Sequence, residues 1–252
     1  MTPAGAMVLA AGLGTRLRPL TLDRPKALVA VGGRPLIDHM LDRLAEGGVT
    51  RAVVNVHAFA DALEAHLAAR AGPPEIRISD ERTAPLETGG GVKKARPLLG
   101  DAPLFVANTD SVWTSSGPSA VGRLGEAFDP ARMDALLLLT PTGEALGFDG
   151  PGDFFLDDDG RLTPRRATGA SGAPFAYCGV HVANPAKIYA CPEVRFGLYP
   201  LWADMAAAGR LYGQVLDGAW MHVGDPLALR AAEERLAGPT PGAGPGSPHE
   251  RV

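Results

Sequence analysis

The chain has 252 residues, 46% of them hydrophobic, enough for a sizeable core in one large α/β domain or two small ones. Its 24 basic and 28 acidic side chains leave a net charge of −4 with no long basic block, which argues against general nucleic-acid binding. No apolar run approaches the roughly eighteen residues of a membrane span and no charged-then-apolar leader opens the chain. Cys178 and Cys191 lack metal-ligand spacing, so a cytoplasmic protein with reduced thiols is expected.

Residues 7–11 (MVLAA) predict a buried first strand that breaks at Gly12-Leu13-Gly14-Thr15-Arg16. Glycines let a backbone approach a ligand closely, and Arg16, Arg18 and then Lys26 after Pro25 add three cations. A turn with exposed N–H groups and fixed positive charge is chemistry for a polyphosphate. No Gly-Lys-Ser/Thr follows, so this is not a P-loop, and Leu17 stands where a dinucleotide fingerprint needs its third glycine.

A helix follows over Leu36–Glu46, on apolar positions 36, 37, 40, 41, 44 and 45, ended by Gly47-Gly48. Residues 51–57 read as a strand, 61–70 as a helix and 75–79 as a strand. The alternation predicts an α/β fold, with a mostly parallel sheet covered by helices on both faces. The stretch 81–91 (ERTAPLETGGG) reads as a loop whose glycines allow close approach to something flat or anionic, with a helix over 92–99. Residues 103–107 form a buried strand ending in Asn108-Thr109-Asp110. A carboxylate there stands where such sheets bind ligands, and Asp110 either helps hold a divalent ion or caps a turn.

Beyond it, the pattern predicts a helix over 120–128, a strand over 135–140 and a loop over 141–153. A hairpin turns at Asp157-Asp158-Asp159-Gly160, an acidic run without EF-hand spacing. A strand over 175–182, a helix over 200–208, a strand over 210–216 and a helix over 227–236 complete the pattern. Residues 238–252 read as a disordered Gly/Pro-rich tail.

The string Leu9-Ala10-Ala11-Gly12-Leu13-Gly14-Thr15-Arg16-Leu17-Arg18-Pro19-Leu20-Thr21, then Pro25-Lys26, resembles the signature of the sugar-phosphate nucleotidylyltransferases. The resemblance runs over roughly residues 5–237. It implies a single nucleotidyltransferase domain, 1–237, with a three-layer Rossmann-like fold and a mostly parallel mixed sheet. It also implies that Ala11, Gly12, Gly14, Thr15 and Arg16 wrap a nucleoside triphosphate. Arg16 would neutralise the leaving pyrophosphate, and Lys26 would face the α-phosphate and the sugar phosphate. Glu87, Gly89 and Gly90 would line the base pocket, Asn108 would contact the sugar phosphate, and Asp110 would hold Mg²⁺, with Mn²⁺ as the alternative.

Gly152-Asp153-Phe154 resembles an element of one branch of that family, the N-acetylmuramate-1-phosphate uridylyltransferases, and implies that Asp153 contacts the sugar. Two departures stand out. Pro164-Arg165-Arg166-Ala167 replaces a Glu-Lys-Pro element, so the arginines are either a phosphate grip or a solvated pair. In Trp220-Met221-His222-Val223-Gly224-Asp225-Pro226, His222 stands at the second metal aspartate and Asp225 at a threonine. Imidazole suits zinc or manganese better than magnesium. His222 thus binds metal, bonds a phosphate or places a water, and Asp225 is a substitute ligand or a helix start.

The implied reaction joins UTP to N-acetylmuramate 1-phosphate. The alternatives are mannose or heptose 1-phosphate with GTP, glucose 1-phosphate with dTTP or UTP, and a catalytically inactive nucleotide-sugar-binding regulator. The expected partners are the nucleotide and the sugar phosphate, with neither nucleic acid nor membrane, in a monomer or small homo-oligomer.

Overall fold

The first strand forms as β1 (Gly5–Leu9) and stops two residues before the predicted end. The N–H groups of Ala10 and Ala11 leave the sheet ladder and donate to Asn55 Oδ1, at 2.7 and 3.2 Å. The structure, a computed structural model, describes residues 2–115 and 117–238. The predicted tail, apart from Gly238, lies outside the described residues.

After β1 a small ribbon, β2 (Ala30–Val31) and β3 (Arg34–Pro35), leads into α1 (Leu36–Glu46), β4 (Arg51–Val56), α2 (Ala60–Ala69) and β5 (Glu75–Asp80). Next come α3 (Glu87–Lys94), α4 (Arg96–Leu99), β6 (Leu104–Asn108), β7 (Ser111–Thr114), α5 (Ala120–Ala127) and β8 (Ala135–Pro141). The hairpin β9 (Phe154–Leu156) and β10 (Leu162–Pro164) precedes α6 (Arg165–Thr168), β11 (Phe175–Ala183), α7 (Ala186–Ala190) and α8 (Tyr199–Ala207). The chain closes with β12 (Leu211–Val215), β13 (Ala219–His222) and α9 (Pro226–Ala237).

The central sheet runs β5-β4-β1-β6-β11-β8-β12. Strands β1, β4, β5 and β6 are parallel, as is β12 to β8, whereas β11 runs antiparallel to β6 and β8. The sheet is therefore mixed and mostly parallel. Alternate residues of each strand serve opposite faces. Ala6, Val8, Val54, Phe105 and Ala107 pack with Ile37, Met40, Leu41 and Leu44 of α1 and Val121 and Leu124 of α5. Met7, Val53, Leu104 and Val106 pack with Val92 of α3, Ile188 of α7 and Trp202 and Met205 of α8. Each such leucine or valine contributes about 1.5–3 kcal/mol by leaving water, and the two faces give the three layers.

Two departures from expectation bear on the site. The glycine run is helical, because α3 starts at Glu87, and the helix predicted over 92–99 splits between α3 and α4. Tertiary packing overrides the poor helix propensity of glycine here. A Cβ at Gly89 would lie 2.3 Å from the Phe196 ring, and one at Gly90 2.4 Å from the Val194 carbonyl. Without side chains the first turns of α3 lie flat on the segment 194–197.

The second difference is the ribbon of β7 and β13, which no pattern in the sequence announces. Trp220 faces Trp113 and His222 faces Ser111 across it, and the buried aromatic pair fixes its register. Among the described residues no helix is long and apolar enough to cross a membrane. Both cysteines are free, Cys178 in the core and Cys191 half-buried.

Candidate active site

A cleft of about 420 Å³ opens at the carboxyl ends of β1, β4 and β6, where parallel sheets of this kind present loops to ligands. The loop after β1 forms one wall. Gly14 has φ +62°, and a Cβ there would lie 2.9 Å from Lys26 Cβ and 3.0 Å from Thr21 Cγ2. Thr21 Oγ1 donates to the Gly14 carbonyl at 2.8 Å, and Leu17 is fully buried beneath the loop. The turn is thus anchored from below while Gly12, Thr15 and Arg16 face outward. A Cβ at Gly12 would meet no protein atom within 4 Å, so the backbone there is bare toward the cleft.

Lys26 and Asp110 meet on the floor, Nζ to Oδ2 at 2.7 Å. Burial pushes the Asp110 carboxyl up, but Lys26 and His222 outweigh it and hold it below its ordinary value. The β7–β13 ribbon brings His222 to the same place, with Val223 N donating to the Asp110 carbonyl at 2.8 Å. Burial lowers the His222 pKa, Asp110 opposes this, and Lys26 and Arg16 reinforce it. The imidazole is therefore a neutral lone-pair donor near neutral pH, beside an ionised carboxylate.

That donor set fits a divalent ion: Asp110 already compensates a cation, and a neutral imidazole adds a nitrogen ligand. Among the described residues no three His, Cys, Asp or Glu side chains converge to hold an ion by themselves. Substrate oxygens would have to complete the shell. Asp225 spends its Oδ1 on the N–H groups of Leu227 and Ala228, both at 2.9 Å, and so caps α9.

At the other end of the cleft stands a buried polar pair that sequence reasoning missed. Asn55 holds the Ala10 and Ala11 N–H groups through Oδ1 and donates through Nδ2 to Glu81 Oε1 at 2.8 Å. Glu81 is fully buried, and its Oε2 accepts from Leu86 N at 3.0 Å. The signal that could have found it is the lone asparagine in the valine-rich strand RAVVNV, because a buried amide must find partners. Glu87 and Thr88 line the rim nearby. Glu87 has φ +63°, a rare conformation for a residue with a side chain, and its Oε1 lies 3.1 Å from Arg195 Nε.

Of the residues singled out from sequence, Ala11, Gly12, Gly14, Thr15, Arg16, Lys26, Glu87, Asn108 and Asp110 line this one cleft. His222 is outside this lining, and the bond from Val223 N to the Asp110 carbonyl keeps it next to Asp110. Gly89 and Gly90 do not line it, and their N–H groups donate to the Phe196 carbonyl at 2.9 and 3.1 Å. They are spacers behind the wall, and the N–H groups expected to read a base are already taken. Asp153 also lies off the cleft lining, its Oδ2 accepting from Tyr177 N at 2.9 Å. Arg165 is tied to main chain, with Nε donating to the Gly152 carbonyl at 2.9 Å.

A glycine-bearing loop with two cations over a strand-end carboxylate defines a polyphosphate-binding α/β enzyme site. Residues 5–148 match the nucleotidyl transferase family, and the chain belongs to it. It is 55% identical to the N-acetylmuramate alpha-1-phosphate uridylyltransferase of Caulobacter vibrioides, over 93% of this chain and 98% of that protein. It is 34% identical to the protein of the same name from Neisseria meningitidis serogroup B, over 92% and 98%. The solved UDP-glucose pyrophosphorylase of Acinetobacter baumanii superposes with a TM-score of 0.77 at 18% identity, covering 95% of each chain, which bears on the fold.

Proposed function

We propose that the chain joins UTP to N-acetylmuramate 1-phosphate, releasing UDP-N-acetylmuramate and pyrophosphate. The observation that carries this reading is the meeting of the Gly12–Arg16 loop, Lys26 and Asp110 in one cleft. The choice of sugar and base is supported by the two uridylyltransferases to which the chain is similar over nearly its whole length.

An anionic oxygen of the sugar 1-phosphate attacks the α-phosphorus of UTP. The bond from that phosphorus to the bridging oxygen breaks, and pyrophosphate leaves with the electron pair. The nucleophile is already ionised at neutral pH, so no general base is needed, and catalysis rests on positioning and charge. The loop backbone at Ala11, Gly12, Gly14 and Thr15 holds the triphosphate, and Arg16 offsets charge on the departing pyrophosphate. Lys26 stands between the α-phosphate and the sugar phosphate, and Asn108 orients the latter. Glu87 borders the base, and Asp153, outside the cleft lining, is assigned to the sugar only by its resemblance to the uridylyltransferase branch. Asp110 and His222 would hold a divalent ion, Mg²⁺ or Mn²⁺, whose charge would further neutralise the phosphates when bound.

The test is a mass-spectrometric product screen of N-acetylmuramate 1-phosphate and mannose 1-phosphate, each with UTP and GTP. UDP-N-acetylmuramate with stoichiometric pyrophosphate is the expected result. Product only from mannose 1-phosphate and GTP would replace the reading, and nucleotide binding without pyrophosphate release would favour a regulatory protein.

A further inference from the structure

The cleft accounts for one anion of the proposed sugar substrate, its phosphate. N-acetylmuramate carries a second, the carboxylate of its lactyl ether. We propose that Arg166 receives that carboxylate, which makes it a specificity-determining residue. This assignment rests on N-acetylmuramate 1-phosphate being the substrate.

The two adjacent arginines are not equivalent. Arg165 is consumed by the fold: its Nε donates to the Gly152 carbonyl at 2.9 Å, its Nη1 to the Ala170 carbonyl at 3.4 Å, and Arg165 N to the Asp153 carbonyl at 2.8 Å. It fixes the Asp153 turn. Arg166 is the next residue, and its guanidinium lies 4.7 Å over the centre of the Tyr199 ring. Tyr199 adjoins Leu198, whose N–H donates to Thr88 Oγ1 on the cleft rim at 2.9 Å. The stacked guanidinium thus joins the Asp153 turn to the segment that docks on the rim.

Among the described residues no carboxylate lies within 4.0 Å of the Arg166 guanidinium, whereas Arg195 is paired with Glu87 at 3.1 Å. A ring-held guanidinium has lost much of its rotamer freedom already, and its planar N–H fork matches a carboxylate. None of the residues 164–168 lines the cleft that holds Arg16 and Lys26. Arg166 stands next to the Asp153 turn and outside that lining, so the group it receives is remote from the reacting phosphate.

The test compares kcat/KM for N-acetylmuramate 1-phosphate and for N-acetylglucosamine 1-phosphate, which lacks only the lactyl group, with UTP in the wild type, Arg166→Gln, Arg166→Lys and Arg165→Gln. Where turnover of the second sugar is too slow, its inhibition constant against the first is used. Arg166→Gln is expected to lower the selectivity ratio about tenfold or more, through KM rather than kcat, and Arg166→Lys to recover part of it. Arg165→Gln should lower the melting temperature and leave the ratio where it was. An unaltered ratio in Arg166→Gln, whether both sugars lose alike or neither does, overturns the assignment. A wild type that uses other sugar phosphates but not N-acetylmuramate 1-phosphate overturns the functional reading, and the assignment with it.

Discussion

Lys26 Nζ sits 2.7 Å from Asp110 Oδ2, joining residues 84 positions apart across the floor of the cleft. The pair neutralises two groups that would otherwise face each other unshielded in a partly buried site. On the proposed reading substrate breaks it, freeing Lys26 for a phosphate and Asp110 for a cation. Lys26→Ala is expected to cut turnover by roughly two decades or more, about 2.7 kcal/mol of transition-state stabilisation. The circular dichroism spectrum should stay native. A coupled pyrophosphate-release assay checks this, and a near-normal rate would remove Lys26 from the chemistry.

The two kinds of glycine near the cleft should respond oppositely to one methyl group. Gly90→Ala would bring Cβ to 2.4 Å from the Val194 carbonyl, so the segment 194–197 must move off α3. A loss of about 1–3 kcal/mol in urea unfolding is expected, although glycine to alanine in a helix ordinarily stabilises. Gly12→Ala meets no protein atom, so stability should hold within about 0.5 kcal/mol. Its methyl group would occupy space meant for nucleotide, and KM for UTP should rise.

Asn55 ties the loop after β1 to the buried Glu81. Asn55→Leu strips the acceptor from two backbone N–H groups and the amide donor from the fully buried Glu81. Orphaning buried polar groups costs about 1–3 kcal/mol each, partly relieved by relaxation. The expected result is a loss of several kcal/mol in denaturant titration together with weaker nucleotide binding by calorimetry. An unchanged midpoint would show that the loop orders itself without Asn55.

Acid should destabilise the protein through a buried imidazole that does not line the cleft. His181 is buried, its Nδ1 lies 2.7 Å from Tyr177 Oη, and burial pushes its pKa from 6.5 down to about 3. The unfolded chain therefore binds this proton more readily than the folded one. Stability from the neutral imidazole is complete above pH 6.5 and drains away as pH falls towards 3. Between pH 7 and 5 the loss from this one group is about 2 kcal/mol. Thermal melts across that range should slope less for His181→Gln than for the wild type.

The proposed pairing of His222 with Asp110 at a divalent ion should show in metal preference. Chelation is expected to stop pyrophosphate release, with Mn²⁺ restoring it at lower concentration than Mg²⁺. In His222→Asp the order should reverse, because an all-oxygen set suits the harder ion. Titrating each ion against rate decides this.

What could be read from the chain alone was whatever local spacing encodes. β1, its glycine break and the strand end at Asp110 follow from short runs, and Arg16, Lys26 and Asp110 do share a cleft. The glycines at 89 and 90 misled, because bare backbone suits either a ligand or a close-packed neighbour, and only the segment 194–196, over a hundred residues on, decides which. Asn55 and Glu81 stayed hidden for the same reason: each is ordinary until its partner is known. The β7–β13 ribbon depends on a pairing of Trp113 with Trp220 that no local pattern states.

That late pairing sets an order of events on the ribosome. Arg16, Lys26 and Asp110 all leave the exit tunnel well before His222, and at 5–20 residues per second the gap after Asp110 is roughly 5–20 s. During that interval a nascent chain can zip β1, β4 and β6 together and form its lysine–aspartate clasp, while the β7–β13 ribbon is still missing. Only when residues 219–222 emerge and pair with β7 does His222 come to lie opposite Ser111, with Val223 bonded to Asp110.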